Sequence, residues 1–233
     1  MDPVGILLQT SAFGDLAPAD VEELLPDVSE RSYDAGEALW VEGDPALALY
    51  VLAEGQVKAH RVGHDGGEVI LGIYRGVDIV GEVGLFHPSG VRRLSTTAMT
   101  PTRCLRIGRA PLLAFLSRHP LAMERMLERL SAIAGQVAYS FSGLAFDDIR
   151  RRVAVALLSL AEEFGEPTGH DGLRIRLRLS QSTLAALVAA SRENVNRALA
   201  SFVSTGAVSQ RDAHFHIHDL DALRQAAIPA ADL

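Results

Sequence analysis

The spacing of hydrophobic positions changes several times along the chain. Over residues 15–30, Val21, Leu24, Leu25 and Val28 recur at helical spacing behind Asp15 and Pro18, which predicts a short helix. From Arg31 to about Ile107 the rhythm shortens to alternating runs such as ALYVLAEGQVKAHRV and EVILGIYRG, broken by frequent glycines. Many short strands with glycine turns predict a compact all-β sandwich, barrel or roll. After Pro111 the period turns helical again. From Pro120 the positions Met123, Met126, Leu130, Ile133, Val137, Ser140 and Leu144 follow one another in alternating steps of three and four. That is a seam of period 3.5, with Ser140 as its polar weak point. It predicts either one long helix lying on its own domain or a two-stranded coiled coil between identical chains, and a helix roughly 40 Å long exceeds what the β-domain can cover.

The second half begins with FDDIRRRVAVALLSLAEEFG, a helix with Asp147 as N-cap and Gly165 as stop. EPTGHDG then breaks the chain. LRIRLRLS alternates Arg174, Arg176 and Arg178 against Ile175, Leu177 and Leu179, a half-buried strand whose arginine face is either solvated or laid on a DNA backbone. Next come two helices joined by a tight turn. The first, about 181–188, exposes Gln181 and Ser182 and buries Leu184, Leu187 and Val188. The second, about 192–204, is capped by Ser191. Its inner stripe is Val195, Leu199 and Phe202, with Arg192, Glu193, Asn196 and Arg197 on or near the outer face. Polar side chains able to make paired hydrogen bonds at a helix N-terminus suit a recognition helix in the major groove; an ordinary amphipathic helix is the plainer alternative. Strands around 207–210 and 214–218, with a turn at Arg211-Asp212-Ala213, complete a winged helix. His214, His216 and His218 share one strand face, but their Cβ atoms are about 6.5–7 Å apart along a strand, too far to close a metal site alone. They read as wing histidines.

Composition narrows the functional classes. The chain has 233 residues, enough for two domains, and no apolar run long enough for a membrane span. With no secretory signal, the expected location is the cytoplasm. Its single cysteine, Cys104, excludes an intrachain disulfide and any cysteine-held cluster. Net charge is −7, yet residues 1–147 carry 12 basic and 19 acidic side chains while residues 148–233 carry 10 of each. A neutral second half permits DNA binding. No nucleophile–base pair or carboxylate dyad stands out, so catalysis is not expected.

The stretch GEVGLFHPSGVRRLS, residues 81–95, sets a Gly-Glu pair ahead of a turn and two adjacent arginines. Together with the long helix, LAFDDIRRRVA and ASRENVNRAL, it resembles the CRP/FNR family of bacterial transcription regulators over about residues 14–217. The resemblance implies an α+β chain: an effector-binding β-roll over 1–118, a dimerisation helix over 119–146 and a winged helix-turn-helix over 147–233. It implies a homodimer on palindromic promoter DNA with TGTGA-like half-sites, and RNA polymerase as a further partner. Ser180, Gln181, Ser182, Ser191, Arg192, Glu193, Asn194, Asn196 and Arg197 form the expected DNA-binding set, with Arg192, Glu193 and Arg197 at base-reading positions.

For the effector site, Gly81 and Glu82 match the backbone and carboxylate that hold a cyclic nucleotide's phosphate and ribose, and Arg92 matches the phosphate-pairing arginine. Arg93 stands where a Ser or Thr is usual. The positions that hydrogen-bond adenine in nucleotide-binding members fall on Val137 and Ala138, whose side chains carry no polar atom. The phosphate half of a cAMP pocket is therefore expected and the adenine half is not. A haem held by His87, in a Pro-Ser-Gly turn, is not expected. Two readings stay open: a regulator whose roll binds cAMP or another small effector, and a regulator that needs no ligand. A roll that regulates an enzyme, the third class, is disfavoured by the winged helix.

Overall fold

The computed structural model describes residues 2–168 and 172–228; Gly169, His170 and Asp171 of the predicted break lie outside the described residues. The chain divides into two compact units, one built from residues up to Arg61 with Leu71–Val137, the other from Val62–Ile70 with Ala138 onward. No helix among the described residues is long and apolar enough to cross a membrane.

The first unit opens with α1 (Pro3–Leu7), whose N-terminus Asp2 caps through Gly5 N at 3.1 Å, and α2 (Pro18–Glu22). The helix predicted over 15–30 is thus cut short. Leu25–Asp27 tighten into a 3-10 turn around Pro26, which offers no N–H to continue an α-helix, and Val28 begins a strand. The strands are β1 (Val28–Tyr33), β2 (Ala38–Trp40), β3 (Ala48–Glu54), β4 (Gln56–Val62), β5 (Glu68–Arg75), β6 (Ile79–Val80), β7 (Ser95–Ala98) and β8 (Thr102–Gly108), with α3 (Glu82–Phe86) between β6 and β7. They form two sheets, ordered β1-β8-β3-β6 and β2-β7-β4-β5, which is the expected β-roll. One hydrophobic cluster joins Phe13, Leu49, Ile79, Leu105 and Phe115; another joins Trp40, Tyr50, Leu52, Val57 and Cys104. Burial pushes the Cys104 thiol up to about 12, so it remains an unreactive core thiol.

Helix α4 (Arg109–Arg118) leads to α5 (Pro120–Phe146), the long helix read from the seam. The seam itself needs correcting by one position. Met126 is 2% exposed and belongs to the core of its own protomer. The outward apolar stripe runs instead through Met123, Leu127, Leu130, Ala134, Val137, Phe141 and Leu144, with Leu127 61% and Phe141 72% exposed. This register still alternates steps of four and three, and it replaces Ser140 by Phe141. Both stripes fit a period of 3.5; only packing against the roll decides which one faces inward.

The second unit holds α6 (Ile149–Phe164), β9 (Gly165–Thr168), β10 (Gly172–Ile175), α7 (Gln181–Leu187), α8 (Arg192–Ser204), β11 (Val208–Arg211), β12 (His214–Ile217) and α9 (Leu220–Ala227). Asp148, not Asp147, caps α6, accepting from Arg151 N; Asp147 instead pairs with the Arg151 side chain. The predicted strand over LRIRLRLS is regular only to Ile175, although Leu177 and Leu179 stay buried and Arg176 and Arg178 exposed. β9, not anticipated, pairs with β10, and the four strands run in the order β11-β12-β10-β9. Asp212 and Ala213 both have positive φ, 50° and 62°, as a tight two-residue hairpin turn requires. Phe164, Leu184, Val195, Leu199, Phe202, Phe215 and Ile217 fill the core beneath α7 and α8.

Candidate functional site

Two groups of residues singled out in the sequence come together in space, one in each unit. In the roll, a cavity of about 60 Å³ is lined by Gly81, Glu82, Arg92 and Arg93 together with Trp40, Tyr74 and Leu94. Val137, exposed on α5, is not among its lining residues, and Ala138 is likewise exposed. Gly81 has φ +97°, a left-handed conformation natural to glycine, and a Cβ there would lie 2.6 Å from Arg92 Nη1.

Arg92 is turned inward. Only 3% exposed, it donates from Nη1 to the Gly81 carbonyl at 2.8 Å and from Nη2 to the Ala48 carbonyl at 2.6 Å. Its guanidinium stacks 4.0 Å from the centre of the Trp40 ring, while Nε is buried without a partner among the described residues. Burial pulls its pKa below the ordinary guanidinium value. Trp40 is fixed in turn by donation from Nε1 to the Leu94 carbonyl at 2.9 Å and by its neighbour Tyr50. Glu82, also 3% exposed, accepts from Arg129 Nε of α5 at 2.8 Å. Burial raises the Glu82 pKa, and the Arg129 cation opposes that rise. Arg93 is exposed and makes no hydrogen bond or ion pair among the described residues.

Of the residues assigned to an effector site from the sequence, the structure brings Gly81, Glu82, Arg92 and Arg93 to one cavity and leaves Val137 and Ala138 outside its lining; Trp40 and Arg129 were missed. Trp40 is the chain's single tryptophan, a signal that was available. Arg129 carried none: it lies 47 residues from Glu82 in the chain.

In the second unit, α7 and α8 form a helix-turn-helix. Ser180 and Ser191 cap the two helices through Thr183 N and Asn194 N, so their hydroxyls stabilise the scaffold. Asn194 Oδ1 accepts from Arg197 Nη2 at 2.5 Å and braces that side chain. Arg192, Glu193 and Asn196 are exposed beside it, and Gln181 and Ser182 stand at the start of α7. The side chains of these five make no hydrogen bond or ion pair among the described residues. Three consecutive arginines of α6 hold the frame. Arg150 stacks over Phe202 of α8 at 4.9 Å, Arg151 donates to the Ala227 carbonyl at 2.8 Å, and Arg152 donates to the Val188 carbonyl at 2.8 Å, closing the turn before α8.

Metal candidates are poor. Asp20, Glu23 and His119 bring potential ligand atoms within 4.8 Å of one another, but Arg118 already donates to Glu23 at 3.0 Å. On the wing, the His216 and His218 rings lie parallel with centroids 6.3 Å apart, and His218 bonds Ser209 at 2.8 Å. His87 bonds Ser89 within its own turn.

A roll with a Gly-Glu/Arg cradle, a long helix and a winged helix-turn-helix define a DNA-binding transcription regulator. Residues 30–119 match the family profile described as a cyclic nucleotide-binding domain, and residues 151–226 match the Crp-like helix-turn-helix domain. The chain is 32% identical over 222 residues to a CRP-like cAMP-activated global transcriptional regulator of Mycobacterium tuberculosis, covering 95% of this chain and 98% of that one. It is 29% identical over 219 residues to the cyclic AMP receptor protein of Thermus thermophilus, covering 94% and 97%. Among solved structures, the c-di-GMP responsive global regulator CLP of Xanthomonas campestris superposes with a TM-score of 0.75 at 26% identity, covering 87% of this chain and 99% of that one. The chain belongs to the CRP/FNR family of transcription regulators, and these curated relatives are regulators, not enzymes.

Proposed function

We propose that this regulator binds palindromic, TGTGA-like operators as a homodimer and does so without a cyclic nucleotide. Operator recognition rests on the outer face of α8, where Arg192, Glu193 and Arg197 present charge to solvent. Arginine pairs with guanine O6 and N7, and glutamate accepts from cytosine N4. A second copy would join along the Leu127, Leu130, Val137 and Phe141 stripe of α5, and two recognition helices in a homodimer read half-sites centred about 34 Å apart. Ser180, Ser191 and Asn194 serve this reading as scaffold; Gln181, Ser182 and Asn196 add backbone or base contacts. The cytoplasm is where such a protein meets promoter DNA, and RNA polymerase is its expected partner there.

Independence from a ligand rests on one observation: the groups that would hold a nucleotide are already engaged by the protein itself. Arg92 is bonded to two carbonyls and stacked on Trp40, and Glu82 is bonded to Arg129. The remaining cavity of about 60 Å³ is far below the roughly 300–1,000 Å³ of typical ligand pockets. Val137 and Ala138 offer no hydrogen bond to a purine edge. The second reading, a cyclic-nucleotide-responsive regulator, draws on the cAMP-activated relative and on Arg93, whose unengaged cation stands at the cavity. Operator binding measured by fluorescence anisotropy with and without cAMP separates the two. Tight binding in both cases supports independence. Binding undetectable until cAMP is added, then rising more than about a hundredfold, a coupling of about 2.7 kcal/mol, overturns it.

A further inference from the structure

Helix α5 has two faces. Outward lies the apolar stripe; inward lie Ala122, Met126 and Arg129, spaced four and three apart and packed on the roll. Arg129 is the polar member of that inward row, only 16% exposed. Its guanidinium makes three connections to two neighbouring segments. Nε donates to Glu82 Oε1 at 2.8 Å, Nη2 lies 3.0 Å from Asp78 Oδ1, and Nη2 also donates to the Ile79 carbonyl. Asp78 is itself tied down: its Oδ1 accepts from Ile79 N at 2.9 Å, and its carbonyl accepts from Leu52 N on β3 at 2.8 Å. One planar fork therefore joins α5 to the segment before β6 and to the first turn of α3.

An apolar side chain at this position would let α5 rotate or slide, because hydrophobic contact is non-directional. A guanidinium bonded through two different nitrogens fixes orientation, since its donors are rigidly coplanar. We propose that Arg129 is a built-in substitute for an effector: by occupying the carboxylate of Glu82 it fixes the rotation of α5, so that the Leu127–Phe141 stripe meets a second copy in a DNA-binding register. Glu82 and Arg129 form a buried pair in which Oε1 of the carboxylate already holds the guanidinium. Arg129 is thus a positioning residue for dimer geometry and operator affinity, and a competitor for the carboxylate that a nucleotide's ribose would need. This inference deepens the ligand-independent reading and rests on it.

Arg129→Gln and Arg129→Lys in the full-length protein test it. Arg129→Gln, measured without ligand at concentrations where ultracentrifugation shows a dimer, should bind operator at least about tenfold more weakly than wild type. Hydrogen exchange of α5 amides around residues 126–133 should quicken while α6 and α8 stay protected. Arg129→Lys should recover part of the affinity, since it keeps the charge and loses the fork. Because Arg129→Gln leaves Glu82 buried without its partner and can fail to fold, the double variant Glu82→Gln/Arg129→Met is the second arm; it leaves no charge unpaired between these two positions. It too should lose operator affinity, in protein that a thermal melt shows to be folded at the assay temperature. Operator affinity within twofold of wild type in either folded variant overturns the role of Arg129. Wild-type protein that needs cAMP for any operator binding overturns the ligand-independent reading and this inference with it, a separate outcome read before any variant is made.

Discussion

The roll cavity and the recognition helix each gather arginines and a glutamate, and their surroundings are opposite. In the cavity, Arg92 and Glu82 are each 3% exposed and bonded to the protein's own atoms. On α8, Arg192 and Glu193 are exposed without side-chain partners among the described residues, and Arg197 is braced by Asn194 alone among them, which leaves other donors free. Residue type alone does not mark a binding site. What marks it is unsatisfied hydrogen-bonding capacity directed at solvent, which α8 offers at Arg192 and Glu193 and the cavity offers chiefly at Arg93. Arg92 and Glu82 hold the roll together, whereas Arg192 and Glu193 are available to a partner.

Substitutions can break this contrast, and the largest effect is expected at the dimer stripe. Phe141→Asp removes an apolar side chain already 72% exposed in the protomer, so folding should survive while association fails. Sedimentation should show a monomer, and operator affinity should fall more than a hundredfold as the two half-sites lose their tether. Next, Arg92→Ala should act as a core mutation. It leaves the Gly81 and Ala48 carbonyls without donors and uncovers the face of Trp40, a loss of about 2–4 kcal/mol seen in denaturant unfolding. Arg197→Ala should do the reverse, leaving the unfolding midpoint unchanged, costing about 1–3 kcal/mol in operator binding and relaxing preference at one G·C pair in a binding-site selection. An Arg92→Ala protein as stable as wild type, or an Arg197→Ala protein that melts early, would erase the contrast.

The smallest effect belongs to the wing. Burial first, then Arg174, His218, Arg211 and His214, holds the His216 pKa below 6.5. A base whose pKa is lowered by folding contributes stability that is intact above its unfolded value and lost as pH falls through it. Thermal unfolding should therefore show slight destabilisation as pH drops below about 6.5, and His216→Gln should flatten that dependence. Fixed Arg174 and Arg211 keep the field positive throughout, which limits the size of the change.

Most of the architecture was legible in the sequence because periodicity reports burial. The alternation over 31–107, the boundaries of α8 and the wing turn at Asp212-Ala213 all follow from local pattern and turn chemistry. Other features were not, and three of them are instructive. The helix over 15–30 ended early because Pro26 outweighed the apolar spacing around it. The α5 seam slipped by one position, from Met126 to Leu127, because two interleaved stripes share a period of 3.5 and tertiary packing chooses between them. The state of the cavity was hidden for a further reason. Gly81, Glu82 and Arg92 are the same letters whether they face a ligand or each other, and the deciding partner, Arg129, approaches from a helix far along the chain.

Gly81 has a longer reach than its place in the cavity. Its missing Cβ makes room for Arg92 Nη1, and its carbonyl receives that nitrogen. Folding alone therefore calls for glycine at one position and arginine at the other, whether or not a nucleotide binds. The Gly-Glu and Arg signature can then persist as an inherited structural fastener. Surveys that assign sensory roles to genes from this signature will count such chains as sensors unless they also ask which side of the arginine the partner is on.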